Sequence, residues 1–414
     1  MTTTSNQTKA ASASPAPDGQ NVTAAIADIV RRSEKARAAL AEIAPTLDTS
    51  EDPKTGMHIA WQADIHRLGI PVEYGGLSNA SPNFALEALM ECLINICAGE
   101  SSVGQMIVTQ ALHLRMLFAG GGLSQECLEQ VARSFMAGDT RLVGSAAQPG
   151  IKEPVSASIV DGGVLINGVK QFNTQSEGPG WAHVHCVLIL ADGTKKPYAA
   201  LVPLDAPGVI HHHDWDNMGQ RATGSQTITY KNVFVPDGYH HEMNLNVAAL
   251  GALLGVGMLY HAVLMQGIGE GAFDAMLDYV RTLNRPSVSA FSSANDDVFM
   301  QRQIGVNRGN LWAARALLLE TARKAEQATP ETDMMQLAAR GMASKAASGR
   351  AALEVCDEMF DVCGSRATAN KYGLDRFWRN ARTFACHDST DAKDAIVGAI
   401  ELTGQLPMTL LPRL

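Results

Sequence analysis

Charge is scarce in this chain of 414 residues, and the charge that is present has an acidic excess. Charged residues make up 18% of the sequence and give a net charge of −9 with a pI near 5.7. This balance argues against nucleic acids and anionic membranes as partners, because both are recognised by basic surfaces. We therefore expect a small-molecule ligand.

Long apolar runs and paired cysteines are also missing. No stretch of 18 or more apolar residues is free of polar or charged ones, so the sequence predicts no membrane-spanning helix. An odd number of scattered cysteines without a C-x-x-C pair indicates reduced thiols in a cytoplasmic protein and no cysteine-based metal site. The seven positions are Cys92, Cys97, Cys127, Cys186, Cys356, Cys363 and Cys386.

Apolar residues nevertheless make up 46% of the chain, which indicates a globular protein with a large core. Residues 1–20 are rich in Ser, Thr, Ala and Pro and lack the apolar core of a signal peptide, so they predict a flexible tail. Beyond them the hydrophobic spacing is helical over 21–137, strand-like over 138–245 and helical again over 246–414.

The last two regions can be described further. Asp161-Gly162 lies between two alternating runs, and Asn167-Gly168 supplies a second hairpin signal, so we expect an antiparallel barrel or sandwich. The final region has segments long enough for a four-helix bundle, at 249–283, 299–326, 332–362 and 374–387. The sequence thus predicts an α+β protein, mainly α, in the order helical domain, β-domain and helix bundle.

Four stretches carry a resemblance to a known family: LGIPVEYGGL, INGVKQFNTQ, DNMGQRATGSQTITYKNVFVP and RFWRNART. In their order and spacing they are similar to the acyl-CoA dehydrogenase superfamily over almost the whole chain after residue 20. The resemblance implies an N-terminal helical domain, a middle β-barrel and a C-terminal four-helix bundle, assembled as a homotetramer. It also implies a flavin bound between the barrel and the bundle.

Two branches of this superfamily do different chemistry. Dehydrogenases use a carboxylate base to remove a proton alpha to a thioester while the flavin accepts a hydride. If the dehydrogenase motif is aligned with RNAR, Asp388 takes the position of the base. Its side chain is one methylene shorter than that of the usual Glu. Asn380 stands where the motif usually has an aspartate. Because a misplacement of about 1 Å can cost roughly 100-fold in rate, the dehydrogenase interpretation is the weaker one.

The chain resembles more closely the second branch, typified by dibenzothiophene monooxygenase. Its members take reduced flavin from a separate reductase, form a flavin C4a-hydroperoxide with O2 and transfer one oxygen atom. The stretch LDRFWRNART followed by His-Asp carries this resemblance and implies that His387 lies over the flavin ring. An imidazole with an ordinary pKa of about 6.5 can hold or pass a proton near neutrality.

Helical spacing places Arg376, Asn380, Thr383 and His387 on one stripe. Without the family resemblance, this stripe would indicate the solvated face of an amphipathic helix. With it, the stripe is a candidate wall of the catalytic site.

The resemblance implies further contacts with the flavin. Ser145 is expected to be the side chain nearest the isoalloxazine, Phe172 to cover one face of the ring, and Thr174 to approach its N5 and O4 atoms. Arg281 or Arg285 would hold the flavin phosphate, and the resemblance leaves open which of them does so.

Arg376, on the polar stripe, is a further candidate for flavin binding. His113, Leu117 and Trp215 are expected to border the substrate together with Phe172 and His387. For His113, a core histidine bonded to a backbone carbonyl is the alternative.

Three consecutive histidines, His211 to His213, look like a metal-binding tract. Successive residues of a strand point to opposite faces, so three in a row cannot converge on one ion. We therefore expect no metal site.

Together these observations predict a two-component monooxygenase that uses reduced FMN or FAD and O2 and is supplied by an NAD(P)H-dependent flavin reductase. An apolar pocket with a few polar points suits an aromatic heterocycle such as indole or a thiophene, or a small organosulfur compound. Two alternatives stay open. One is an FAD-dependent acyl-CoA dehydrogenase with Asp388 as its base, and the other is a catalytically inactive scaffold of the same fold.

Overall fold

The computed structural model describes residues 19–79, 81, 83–138, 140–147, 150, 153–243, 251, 253–283 and 286–410. Residues 1–18 of the expected tail lie outside this range, and residues 19 and 20 already belong to the first helix.

The N-terminal region is helical, as its spacing predicts. Two of its helix starts are closed by side chains: Glu100 accepts a hydrogen bond from the backbone N–H of Val103 at 2.7 Å, and Ser124 accepts one from Cys127 at 3.2 Å. The helices are α1 (Gly19–Ser50), α2 (Lys54–Trp61), α3 (Leu86–Gly99), α4 (Ser101–Gly120) and α5 (Gln125–Ala137).

The middle region forms one eight-stranded sheet around an apolar core of its own. Seven strands follow the order β6-β7-β3-β2-β4-β5-β8, and β1 pairs with β4. The strands are β1 (Arg141–Ser145), β2 (Ser156–Val160), β3 (Gly163–Lys170), β4 (Gly180–Ile189), β5 (Lys195–Pro203), β6 (Val209–His211), β7 (Ile228–Pro236) and β8 (His240–Glu242).

Two expectations for this sheet need correction. The hairpin at Asp161-Gly162 is present between β2 and β3, with Gly162 at a φ of +72°. Asn167-Gly168, in contrast, lies inside β3, where the pairing with β7 shifts register and Gly168 adopts a φ of +135°. This glycine therefore marks a bulge and not a turn. The sheet is also mixed, because β1 and β2 both pair parallel with β4.

The C-terminal region follows a π-helical turn at Leu253–Gly257. Where their ends are described, its first three long helices lie within the predicted segments or differ from them by a few residues. The fourth helix ends two residues before the predicted segment does, and an additional helix follows it. These helices are α6 (Met258–Val280), α7 (Val298–Glu326), α8 (Met334–Cys363), α9 (Asp375–Ala385) and α10 (Thr390–Thr403).

The two helical regions share one hydrophobic core, and glycines let their backbones approach. On α6, a Cβ atom at Gly267 would lie 2.3 Å from Cys97 Cβ, and one at Gly271 would lie 2.4 Å from the carbonyl oxygen of Ala98. Helices α6 and α3 can therefore pack this closely only because two residues one turn apart lack side chains. Within the described residues, no helix has the length and apolar character needed to cross a membrane.

We expect Gly271→Ala to lower the free energy of unfolding by about 1–3 kcal/mol, because the added methyl group collides with backbone and not with a movable side chain. The matched control is Gly309→Ala on α7, where an added Cβ meets no atom within 4 Å. That change should be neutral or stabilise by up to roughly 1 kcal/mol. Urea unfolding of both variants tests this, and equal midpoints would contradict the close packing.

Candidate functional site

Most of the polar stripe of α9 faces the protein interior. Arg376 and Asn380 are buried, and Thr383 has a buried hydroxyl oxygen with no hydrogen-bond partner among the described residues. His387 lies just beyond the helix, is exposed, and donates its backbone N–H to the carbonyl of Phe384 at 2.9 Å. The interpretation of the stripe as a wholly solvated helix face is therefore wrong.

Asn380 joins all three regions of the chain. Its Nδ2 donates to Ser101 Oγ on α4 at 2.8 Å, and its Oδ1 accepts from the backbone N–H of Gln220 in the β-domain at 2.7 Å. Ser101 Oγ in turn donates to Gln220 Oε1 at 2.9 Å. This closed and buried network holds α9, and therefore His387, against the β-domain.

An exposed aromatic pair lies beside this network. The indole Nε1 of Trp215 donates to the carbonyl of Gln220 at 3.1 Å. Phe172 packs edge-to-face on Trp215, with ring centroids 6.2 Å apart and an interplanar angle of 82°. Phe172 has a φ of +56° and is 58% exposed. A non-glycine residue held in the left-handed region with an exposed ring is a frequent feature of binding sites.

Buried polar groups follow Phe172 in the chain. Thr174 Oγ1 lies 2.9 Å from Ser225 Oγ and accepts a hydrogen bond from Gln105 Nε2 at 3.0 Å. The amide oxygen Gln105 Oε1 is buried and has no partner among the described residues. The loop thus places hydrogen-bonding capacity next to an exposed aromatic surface.

The expected approach of the Ser145 side chain to a flavin ring is not supported. Ser145 is fully buried, and its Oγ donates to Asn173 Oδ1 at 2.7 Å and lies 2.9 Å from the hydroxyl of Tyr230. The hydroxyl is thereby committed to the interior of the sheet domain. The backbone at the end of β1 is the only part of Ser145 left for a ligand.

A second imidazole, which the sequence analysis did not assign to the site, pairs with His387. His261 on α6 has its ring centroid 4.5 Å from that of His387, and Phe384 lies 5.4 Å from His387 on the same side. In the sequence His261 lies in a mainly apolar helix that also carries Gln266 and Glu270, so nothing marks it as a site residue.

Asp388 is held between two buried lysines. Its Oδ1 is paired with Lys345 of α8, and its Oδ2 lies 2.5 Å from Lys393 Nζ of α10. Burial, followed by the ammonium of Lys393, lowers the pKa of Lys345, whereas the ion pair with Asp388 favours the charged form. Because the carboxylate is in direct contact, we expect Lys345 to keep its proton at neutral pH.

These charges act on His387. Desolvation by the surrounding protein lowers the pKa of His387 below its ordinary value, and repulsion from Lys345 and Lys393 lowers it further. Since 48% of the side chain is exposed, solvent screens part of this effect. The imidazole is therefore neutral at pH 7, with its ring reachable from solvent.

Two residues expected to border the substrate lie elsewhere. Leu117 is buried in a hydrophobic cluster with Ile70, Phe135 and Trp181, between α4 and the sheet. Its place in a substrate pocket stays a prediction, which this enclosure does not favour. His113 contacts the β4 histidines His183 and His185, and its catalytic role stays a prediction that these contacts do not favour.

The three candidate arginines differ in their surroundings. Arg376 is buried, donates to the carbonyl of Gly373 at 2.6 Å and lies 4.2 Å from the ring centroid of Phe377. These contacts give it a local structural role. Arg281 is 69% exposed and paired with Asp278 at 3.1 Å, so it is available to a ligand or a second subunit. Arg285 lies outside the described residues.

The histidine tract is dispersed, as strand geometry predicts. His211 Nε2 lies 2.8 Å from the carbonyl oxygen of Leu204, His212 Nε2 lies 2.9 Å from Thr229 Oγ1, and His213 pairs with Glu177.

A cavity of about 250 Å³ lies nearby, between the α1–α2 junction and the sheet, and Arg141, Glu177 and Thr223 are among its lining residues. Neither His387 nor Phe172 lines it.

The region around Phe172 fits the edge and face of a flavin. An exposed aromatic ring can stack on or shield an isoalloxazine, and the amide of Gln105 and the hydroxyl of Thr174 match its polar edge. The orphaned oxygen of Gln105 and the polar hydroxyl of Thr383 supply unused hydrogen-bonding capacity.

Comparison with known proteins agrees with this assignment. The family model "Acyl-CoA dehydrogenase, C-terminal domain" matches residues 259–392. A dibenzothiophene monooxygenase of Rhodococcus erythropolis is 32% identical over 362 residues, which cover 82% of this chain and 85% of that protein. A probable FMNH2-dependent monooxygenase, SfnC of Pseudomonas putida, is 32% identical over 51% of this chain and 56% of its own length.

Among solved structures, the FMN-bound crystal structure of TdsC from Paenibacillus sp. A11-2 has the same fold. It superposes with a TM-score of 0.80 at 23% sequence identity, over 92% of this chain and 98% of TdsC. The expected architecture of helical domain, β-barrel and C-terminal helices is thereby confirmed.

The charge arrangement makes a prediction about His387. Its ring should titrate with a midpoint below 6.5, and Lys393→Met should raise this midpoint, because the variant removes one repelling ammonium and leaves Asp388 less neutralised. NMR of protein with isotope-labelled histidine, with the signal assigned by its loss in His387→Gln, measures both values. A midpoint at or above 6.5 in the unmodified protein, or no rise in the variant, would contradict this electrostatic account.

Proposed function

This chain belongs to the flavin-dependent monooxygenases of the acyl-CoA dehydrogenase superfamily that are related to dibenzothiophene monooxygenase, and on that basis we propose its substrate class and the roles of its site residues. It is an oxidoreductase that depends on reduced flavin. The proposed reaction inserts one oxygen atom of O2 into a small aromatic heterocycle or a small organosulfur compound.

The exposed Phe172–Trp215 pair is the observation that carries the substrate class. Two aromatic rings at right angles, one of them 58% exposed, offer an apolar surface on which an aromatic substrate can pack. The names of relatives point the same way, since they include dibenzothiophene, and TdsC has been crystallised with indole. An indole-like or thiophene-like compound therefore suits this surface best.

The residues around Phe172 would hold the cofactor. Thr174, Gln105 and the backbone at the end of β1 offer hydrogen bonds to the polar edge of the ring, and Phe172 shields one face from water. Reduced flavin, when bound, supplies the electrons that activate O2. Phe172 and Trp215 exclude water from the region where oxygen is transferred.

His387 is proposed to hold and return a proton at a ring nitrogen. Burial, followed by repulsion from Lys345 and Lys393, lowers the pKa of the imidazole, so the neutral ring has one nitrogen that can accept a proton and one that can donate. His261, at 4.5 Å between ring centroids, would restrain the ring and its tautomer. Asp388 acts indirectly, because both of its oxygens are paired with lysines.

The same ion pairs argue against the dehydrogenase alternative. A general base must have an oxygen free to take a proton from the substrate, whereas the carboxylate of Asp388 is neutralised by two ammonium groups. Its charge also serves to balance those lysines. We therefore do not assign Asp388 as a base.

The proposal includes a separate NAD(P)H-dependent flavin reductase and a homotetrameric assembly. The FMNH2 dependence stated in the name of SfnC supports a supply of reduced flavin from elsewhere. The exposure of Arg281 supports assembly. Its guanidinium lies on the surface of the subunit, so it is available to a phosphate group at a boundary between subunits. Seven free cysteines support a cytoplasmic location.

The experiment combines the purified protein with FMN or FAD, a flavin reductase, NADH and ¹⁸O2, and offers indole, dibenzothiophene and small sulfides in turn. Incorporation of one ¹⁸O atom into at least one of these classes, dependent on the reductase, is the expected result. Product formation from acyl-CoA thioesters without ¹⁸O, and none from these compounds, would overturn the proposal.

His387→Ala should lower oxygenated product by about 100-fold, within the range typical of loss of a general acid or base. Consumption of O2 should continue and end as hydrogen peroxide, because binding of flavin does not require this side chain. The matched control is His212→Ala, an exposed histidine bonded to Thr229. The product-to-O2 ratio of each variant measures the effect, and a normal ratio in His387→Ala would refute the role.

A further inference from the structure

Three histidines meet on the face of the sheet that packs against α4. His183 and His185 alternate on β4, so both point to the side opposite Val184 and Cys186, which belong to the core of the sheet domain. His113 reaches them from α4. One ring nitrogen from each of the three lies within 4.8 Å of the others.

Glycine at position 144 makes room for this cluster. A Cβ atom there would lie 2.1 Å from His113 Nε2, so any other residue in this part of β1 would displace the ring. A fourth imidazole is close by. His241 of β8 is in register with Ala199 of β5, and Ala199 is in register with His185 of β4. The ring centroid of His241 lies 6.3 Å from that of His183.

The hydrogen bonding of the cluster is incomplete. The Nδ1 atoms of His113 and His183 are 3.0 Å apart, so one ring donates and the other accepts. Whichever tautomer His183 takes, its Nε2 is buried without a partner among the described residues, and so is His185 Nε2. Buried nitrogens left unpaired in this way indicate an absent ligand, either an ion or a water molecule.

We propose that His113, His183 and His185 form a binding site for a divalent transition-metal ion of the Zn²⁺ class, separate from the flavin site. Imidazole is a preferred ligand of Zn²⁺, Cu²⁺ and Ni²⁺. Two nitrogens 3.0 Å apart would subtend about 95° at an ion roughly 2.05 Å from each. This lies between octahedral and tetrahedral values, so the distance between the two nitrogens is compatible with a shared ion once the rings turn towards it.

The enclosure of the cluster favours neutral ligands. His113 and His183 are buried between α4 and the sheet, and burial favours a neutral imidazole that keeps a lone pair for a metal. Within the described part of the chain no carboxylate acts on the three rings, and the buried ammonium of Lys170 acts on His185. An ion here would take its compensating charge from an exogenous anion such as hydroxide, in a position left open by three protein ligands.

Access to the site follows from the partial exposure of His185, whereas His113 and His183 are buried. His241 lies on the same side and is also only partly buried, so it is placed to become a fourth ligand. The site is separate from the candidate flavin site because His113 follows Gln105 by eight residues on α4, which is about 12 Å along the helix axis.

The test uses the full chain without a polyhistidine tag, stripped with a chelator, incubated with Zn²⁺ or Co²⁺ and passed over a desalting column. We expect one retained ion per chain by elemental analysis and, for Co²⁺, visible absorption characteristic of nitrogen ligands. His185→Phe, which keeps an aromatic ring of similar size, should weaken affinity by more than the roughly 10–100-fold that loss of an outer-shell partner costs.

The control variant His212→Ala removes an exposed histidine of the 211–213 tract and should retain the ion. His185→Gln, checked by circular dichroism, replaces His185→Phe if the latter does not fold. Retention of less than one ion per chain by the unmodified protein would overturn the proposal. So would a loss of the ion in His212→Ala with full retention in the folded His185 variant. Neither readout depends on flavin or on activity.

Discussion

The candidate site depends on a contact between backbones, where the loop before Gln220 meets α9. A Cβ atom at Gly219 would lie 2.2 Å from the carbonyl oxygen of Arg379 and 2.7 Å from the N–H nitrogen of Asn380. Arg379 secures this contact, since it donates to the carbonyl of Met218 at 2.8 Å and pairs with Asp48 of α1 at 2.6 Å. The exposed aromatic pair and His387 are therefore positioned by one junction among three regions of the chain.

Electrostatics then decide what His387 can do. A histidine beside an unpaired carboxylate would be charged near neutrality, and Asp388 follows it directly in the chain. Lys345 and Lys393, from two different helices, take up both oxygens of that carboxylate. Burial lowers the pKa of the imidazole most, and repulsion from the two ammonium groups lowers it further. A neighbouring acid in the sequence is thus a poor guide to the charge of this ring.

Sequence patterns predict the features that depend on neighbouring residues and miss those set by contacts between distant segments. Asp161-Gly162 makes a hairpin because a two-residue turn is a local property. Asn167-Gly168 is a similar turn-forming pair, but its pairing with β7 makes it a bulge. The polar stripe of α9 is visible from helical spacing, whereas the burial of Asn380 depends on α4 and the β-domain. Ser145 lies in the region predicted to be strand-like, but its side chain faces the interior and not the expected flavin ring.

The three-histidine cluster also shows which contacts local sequence patterns can predict and which they miss. The pattern His-x-His on a predicted strand places two rings on one face, and this much could have been predicted from HVHC. The third ring comes from α4, 70 residues earlier, and no local pattern connects it to β4. His387 has its pKa lowered by burial and then by two nearby ammonium groups, and part of its ring is open to solvent, so it can exchange a proton with a substrate or with water. The cluster is neutral because it is buried, and its unpaired nitrogens suit it instead to donating lone pairs to a cation.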